Sequence, residues 1–155
     1  CGHSMGGLIA LDMVSQRKYL AKSLILVNSI YPTRVADALL TKAKTGNGHA
    51  ADFIIKYGLY RRLLGLKNAF SDGDEPVMLN DLHACNNYQL DLNELKNLRI
   101  PISIILGSKD RLVDLKAVEN FTNAVSCHTH TMDEVGHFSF FEDPENLSKL
   151  ISEIT

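Results

Sequence analysis

The chain begins Cys1-Gly2-His3-Ser4-Met5-Gly6-Gly7, and this run constrains the fold more than any other stretch. Gly-x-Ser-x-Gly spacing is that of a nucleophile elbow, in which a serine sits on a sharp strand-to-helix turn with its hydroxyl held clear of the backbone. Such a turn strains the backbone at Ser4, and strand and helix approach too closely for a side chain at Gly2 or Gly6. An elbow also follows a buried strand, which itself follows roughly half of a parallel sheet. Here only Cys1 precedes it and there is no initiator methionine. The expectation is the C-terminal part of a longer protein, with any targeting region upstream.

The rest of the chain alternates strand and helix signals. Leu8 to Arg17 reads as the helix leaving the elbow, and Ser23 to Asn28 is a short continuous apolar run, the pattern of a strand buried on both faces. Ile102 to Leu106 is a second such run between Pro101 and Gly107; His128 to Val135 is a weaker third, nearer a sheet edge. Helical patterns cover Asp114 to Val125 and Pro144 to Ile154, the last with Pro144 in its first turn and a Leu147, Leu150, Ile151, Ile154 stripe. This rhythm predicts an α/β fold with a doubly wound, mostly parallel sheet. Residues 32–90 interrupt it with three helical patterns, Val35 to Lys44, Ala50 to Tyr60 and Pro76 to Asn87, separated by Gly46-Asn47-Gly48 and Ser71-Asp72-Gly73-Asp74. The expected organisation is a core segment 1–31, a helical lid insertion 32–90, and a C-terminal core 91–155.

A net charge of −2 leaves no basic footprint for nucleic acid, and no apolar run approaches the roughly 20 residues that span a bilayer. Cys1, Cys85 and Cys127 are odd in number and widely spaced, which reads as reduced thiols and a cytoplasmic setting.

A serine hydroxyl is a poor nucleophile at neutral pH and needs a base, usually histidine oriented by a carboxylate. In elbow-type sites the chain order is Ser, then Asp or Glu, then His, with acid and base on loops after late strands. Asp110 lies four residues after the Ile102–Leu106 strand in Gly107-Ser108-Lys109-Asp110-Arg111-Leu112-Val113, and His137 follows the third strand in Gly136-His137-Phe138-Ser139-Phe140-Phe141-Glu142-Asp143-Pro144. Asp114 competes for the acid's place, but Asp110 stands closer to the strand end.

The blocks G-H-S-M-G-G, G-S-K-D-R-L-V and G-H-F-S-F-F-E-D-P-E, in that order, resemble the signatures of α/β-hydrolase-fold enzymes of the lidded esterase type. The resemblance implies Ser4 as nucleophile, Asp110 as acid and His137 as base. It also implies that the Met5 N–H is one oxyanion donor, the second lying on a loop after an early strand that this chain lacks. Some family members carry the acid after the preceding strand, where this chain reads Asn28-Ser29-Ile30 without a carboxylate. The implied partner is a small-molecule ester or thioester, cleaved through an acyl-enzyme with no metal or organic cofactor. The segment alone is not expected to be a competent enzyme. Carbon–carbon bond hydrolysis, acyl transfer, and a ligand receptor on the same fold are the alternatives.

Other residues have blander readings. His3 reads as packing beside the site, His128 and His130 as alternating strand residues without a third ligand, and Cys127 as an apolar thiol. Cys85 reads as packing, with a substrate-facing position as the sharper alternative. Phe53, Ile54, Tyr57, Leu59 and Tyr60 form a stripe suited to line an acyl pocket. Asp81, His83, Asn86, Asn87 and Tyr88 are polar groups without an assigned role, and Arg61-Arg62 is a surface pair or an anion contact.

Overall fold

Four strands run parallel in the order β1 (Gly2–His3), β2 (Leu24–Val27), β3 (Ile102–Gly107), β4 (His128–Met132). The structure is a computed structural model and describes residues 1–17, 20–46, 49–61 and 75–155. Asn47-Gly48, Arg62 and Ser71 to Asp74, singled out in the sequence, lie outside the described residues.

Helices cover both faces of the sheet, as a doubly wound arrangement requires. One face stacks Leu24, Leu26, Ile102, Ile104 and Leu106 against Leu11 and Val14 of α1 (Met5–Gln16) and Ala117, Val118 and Phe121 of α6 (Leu115–Ala124). The other face stacks Ile25, Val27, Ile105 and Met132 against the apolar stripe of α8 (Pro144–Ile154), Leu147, Leu150, Ile151 and Ile154. The period of two along β2 and β3 thus feeds two separate cores, which is why both runs are apolar at nearly every position.

Between β2 and β3 the described residues form α2 (Asp37–Thr45), α3 (His49–Gly58), α4 (Glu75–Asn87) and α5 (Leu92–Lys96). Val35, Leu39, Ala43 and Ala50 build a small core of their own with Phe53, Ile54, Met78, Leu79, Leu82 and Cys85. The α5 turn was not expected; it is capped by Asp91, whose carboxylate accepts from the Asn93 N–H.

Several boundaries differ from expectation, each for a local reason. The elbow helix begins at Met5, directly on Ser4, because the turn itself supplies the first helical residue. The third strand stops at Met132, since Asp133 and Glu134 form a turn with φ 53° at Glu134. α3 ends at Gly58, so Leu59 and Tyr60 leave the helical stripe and Tyr60 is exposed. Ser139–Glu142, read as loop, is the short helix α7.

Candidate active site

Four segments leave the carboxyl ends of the four strands and meet there, where open α/β sheets place their ligands. Ser4 follows β1 with φ 51° and ψ −122°, a strained backbone for a residue with a side chain. The strain is held from both sides: the Ser4 N–H donates to Val27 O at 3.0 Å, and its carbonyl accepts from Gly7 N at 2.9 Å and Ser29 Oγ at 2.7 Å. Gly2 is obligatory, because a Cβ there would lie 2.1 Å from the Gly6 carbonyl oxygen. The expectation for Gly6 was wrong: a Cβ at Gly6 meets nothing within 4 Å. The crowded helical position is Gly7, whose Cβ would lie 2.3 Å from Ser29 Oγ. One residue is a 100° turn of the helix, and it is Gly7 that faces β2.

Asp110 follows β3 and is almost fully buried, yet every direction around its carboxylate supplies a donor. Oδ1 accepts from the backbone N–H groups of Leu112 at 2.8 Å and Val113 at 3.1 Å; Oδ2 accepts from Asn28 Nδ2 at 2.9 Å and His137 Nδ1 at 2.8 Å. Burial pushes this carboxyl up, but the hydrogen bond and charge of His137, with the Leu112 N–H and the Asn28 amide, outweigh it and hold it below its ordinary value. Asn28, with φ 46°, is fully buried after β2; its amide also donates to Gly136 O at 3.2 Å, and its Oδ1 accepts from Ser139 Oγ at 2.7 Å. Sequence reasoning noted only that Asn28 is not a carboxylate. The missed signal was a polar residue directly after a buried strand, at the position that faces Asp110. Asp114, the rival acid, instead caps α6 by accepting from Lys116 N.

His137 is buried beyond β4. With Nδ1 donating to the ionised Asp110, Nε2 is left as an acceptor, and it lies 2.9 Å from Ser4 Oγ. The three residues singled out by spacing therefore form one hydrogen-bonded chain. His3 packs beside them, its ring 4.9 Å from that of His137 and edge-on to Phe140, with Nε2 donating to the His137 carbonyl at 2.7 Å. Burial pulls its pKa down to about 4, so it is neutral at pH 7 and serves as a fixed donor.

A cavity of about 240 Å3 opens above Ser4 and His137. Leu8, Ile30 and Val113 of the core form one wall, and Phe53, Ile54, Tyr57, Leu82 and Cys85 of α3 and α4 form the other. Cys85 thus both packs in the insertion and faces the cavity, while Leu59 and Tyr60 do not line it. Met5 lines it too; as the first residue of α1, its N–H has no partner within the helix. Arg111 and Arg34 stand at the rim, Arg111 stacked 5.0 Å over the Tyr57 ring, and neither had been singled out. Arg61 pairs with Glu134 at 3.5 Å in solvent. Asn86 accepts from Val35 N, and Tyr88 donates to Asp12. Among the described residues no three His, Cys, Asp or Glu side chains converge as a metal site, and the three cysteines are free.

A parallel sheet wound on both faces, with an elbow serine, a histidine and an aspartate at its carboxyl edge, defines a class of fold shared by many proteins. The model of the alpha/beta hydrolase family matches residues 1–150, and the chain belongs to that family. It is similar to a pimeloyl-[acyl-carrier protein] methyl ester esterase of Aromatoleum aromaticum, 26% identical over 99% of this chain and 72% of the relative. Among solved structures, it superposes on an esterase from Exiguobacterium antarcticum with a TM-score of 0.84, at 20% identity over 99% of this chain and 65% of that one. The enol-lactonase from Burkholderia xenovorans gives 0.81 at 18% identity, over 99% and 64%. These superpositions establish the fold, and the chain spans about two thirds of the length of those two structures. Among the described residues no helix is long and apolar enough to cross a membrane.

Proposed function

We propose that this chain carries the reacting groups of a serine hydrolase acting on a carboxylic ester or thioester with a modest acyl group. The observation that carries the reading is the unbroken chain Ser4 Oγ, His137 Nε2, His137 Nδ1, Asp110 Oδ2, with contacts of 2.9 and 2.8 Å opening on an apolar cavity. Esterases among the similar proteins agree with it.

Ser4 Oγ attacks the carbonyl carbon as its proton passes to His137 Nε2. Asp110, whose pKa is held down by the hydrogen bond and charge of His137 together with its other donors, stabilises the imidazolium that forms. The Met5 N–H, at the positive end of α1, faces the developing oxyanion. His137 then gives the proton to the leaving alcohol or thiol, and a water activated by the same nitrogen releases the acid from the acyl-enzyme. The insertion between β2 and β3 acts as a lid, since α3 and α4 close the acyl side of the cavity. Rim guanidinium groups favour acyl chains or leaving groups with an anionic end. The free thiols suit a reducing compartment.

The test is hydrolysis of oxygen and thioesters of graded acyl length by the protein from its complete reading frame. Turnover should fall at least 1000-fold in Ser4→Ala with binding retained. A fully active Ser4→Ala variant would sink the mechanism.

A further inference from the structure

We propose that Glu142 is a positioning residue that locks the lid's hinge to the loop carrying His137; its catalytic half rests on the hydrolase reading above. Glu142 is the last residue of α7 and is only 8% exposed. A buried carboxylate needs compensating donors, and here they are backbone N–H groups from two separate parts of the chain. Oε1 accepts from Gly136 N at 3.1 Å, the residue before His137. Oε2 accepts from Tyr60 N and Arg61 N, each at 3.0 Å, in the segment that follows α3.

The same junction is closed by a direct bond, His137 N to Gly58 O at 2.6 Å. Packing leaves it no slack. A Cβ at Gly136 would lie 2.4 Å from Gly58 O and 2.7 Å from both Glu142 Oε1 and Tyr60 N, and a Cβ at Gly58 would lie 2.6 Å from the Phe138 ring. α3 carries Phe53, Ile54 and Tyr57 on the cavity wall. Its end therefore cannot swing away from the core without either breaking the Glu142 bonds or pulling on Gly136 and His137. At the other end of α7, Ser139 donates to Asn28, which holds Asp110. One four-residue helix thus fastens the acid, the base and the hinge, so that a closed cavity and an aligned base are a single state.

The test uses Glu142→Gln in the protein from its complete reading frame. The amide keeps the volume but offers one acceptor oxygen, and its NH2 group cannot face the N–H groups it replaces an acceptor for. The expected result is a fall in kcat of about tenfold with KM changed less than threefold, and faster hydrogen exchange at the Tyr60 and Arg61 amides. In the wild type, a fluorophosphonate adduct on Ser4 should slow exchange at those two amides, and in the variant it should not, because coupling between sites is reciprocal. Glu142→Asp, which keeps the charge but withdraws it by one methylene, should give a smaller change in the same direction, with both variants folded by near-ultraviolet dichroism. Unchanged kcat, or a loss of kcat with exchange at Tyr60 and Arg61 unaltered, overturns the proposal. Failure of the wild type to take up the fluorophosphonate overturns the hydrolase reading and the catalytic half with it, while the exchange comparison still tests the tie itself.

Discussion

At the residue scale the site is governed by how a buried carboxylate is kept ionised. Asp110 has four donors, and three of them, the Leu112 and Val113 N–H groups and the Asn28 amide, are independent of the protonation state of His137. Its depressed pKa contributes stability that is present above its ordinary value near 4 and is lost as pH falls through the folded value below it. Asn28→Asp sets a second carboxylate in place of the donor 2.9 Å from Asp110, and two such groups resist ionising together. We expect kcat/KM at pH 7 to fall at least tenfold in that variant, read from ester hydrolysis. His3 behaves in the opposite sense to a paired histidine. Its pKa is about 4 when folded and near 6.5 unfolded, so between these values the unfolded state binds the extra proton. Stability from this residue is full above pH 6.5 and declines by about 3 kcal/mol on going to pH 4. Urea unfolding at graded pH should show that decline in the wild type and a flatter profile in His3→Asn.

At the scale of elements, the strands were legible because burial on both faces leaves an unambiguous signal: Leu24–Val27 and Ile102–Gly107 are apolar at nearly every position. The elbow was legible because only glycine fits at Gly2. Gly2→Ala drives a methyl group into the Gly6 carbonyl, and thermal unfolding should show a loss of at least 2 kcal/mol. What sequence could not supply was orientation. Spacing alone does not say which of Gly6 and Gly7 faces β2, nor that Ser139–Glu142 winds into a helix whose two ends grip different loops. The α6 helix was legible as a helical pattern over Asp114 to Val125, and Phe121, fully buried against the sheet, is its anchor. Phe121→Ala should cost about 3–5 kcal/mol in denaturant unfolding.

Across the whole molecule, the cavity has two walls from two parts of the chain, the sheet's carboxyl edge and the helical insertion. The order Ser4, Asp110, His137 could be read from the sequence because an elbow-type fold sets it, whereas the insertion's wall of the cavity depends on how α3 and α4 face the core. Phe53, Ile54 and Tyr57 were anticipated there; Leu82, Arg34 and Arg111 were not, because nothing local distinguishes them from packing or surface residues. Cys85→Phe adds bulk on the insertion side of the cavity and should raise KM for long acyl esters at least fivefold while leaving acetate esters within twofold, measured across a chain-length series. The central claim is that Ser4 is an activated nucleophile. Its most direct test is the intact mass of the protein from its complete reading frame after incubation with a fluorophosphonate, beside Ser4→Ala. The account predicts a single adduct on the wild type and none on the variant; a folded wild type that takes up no adduct, or a variant that takes up the same one, would contradict it.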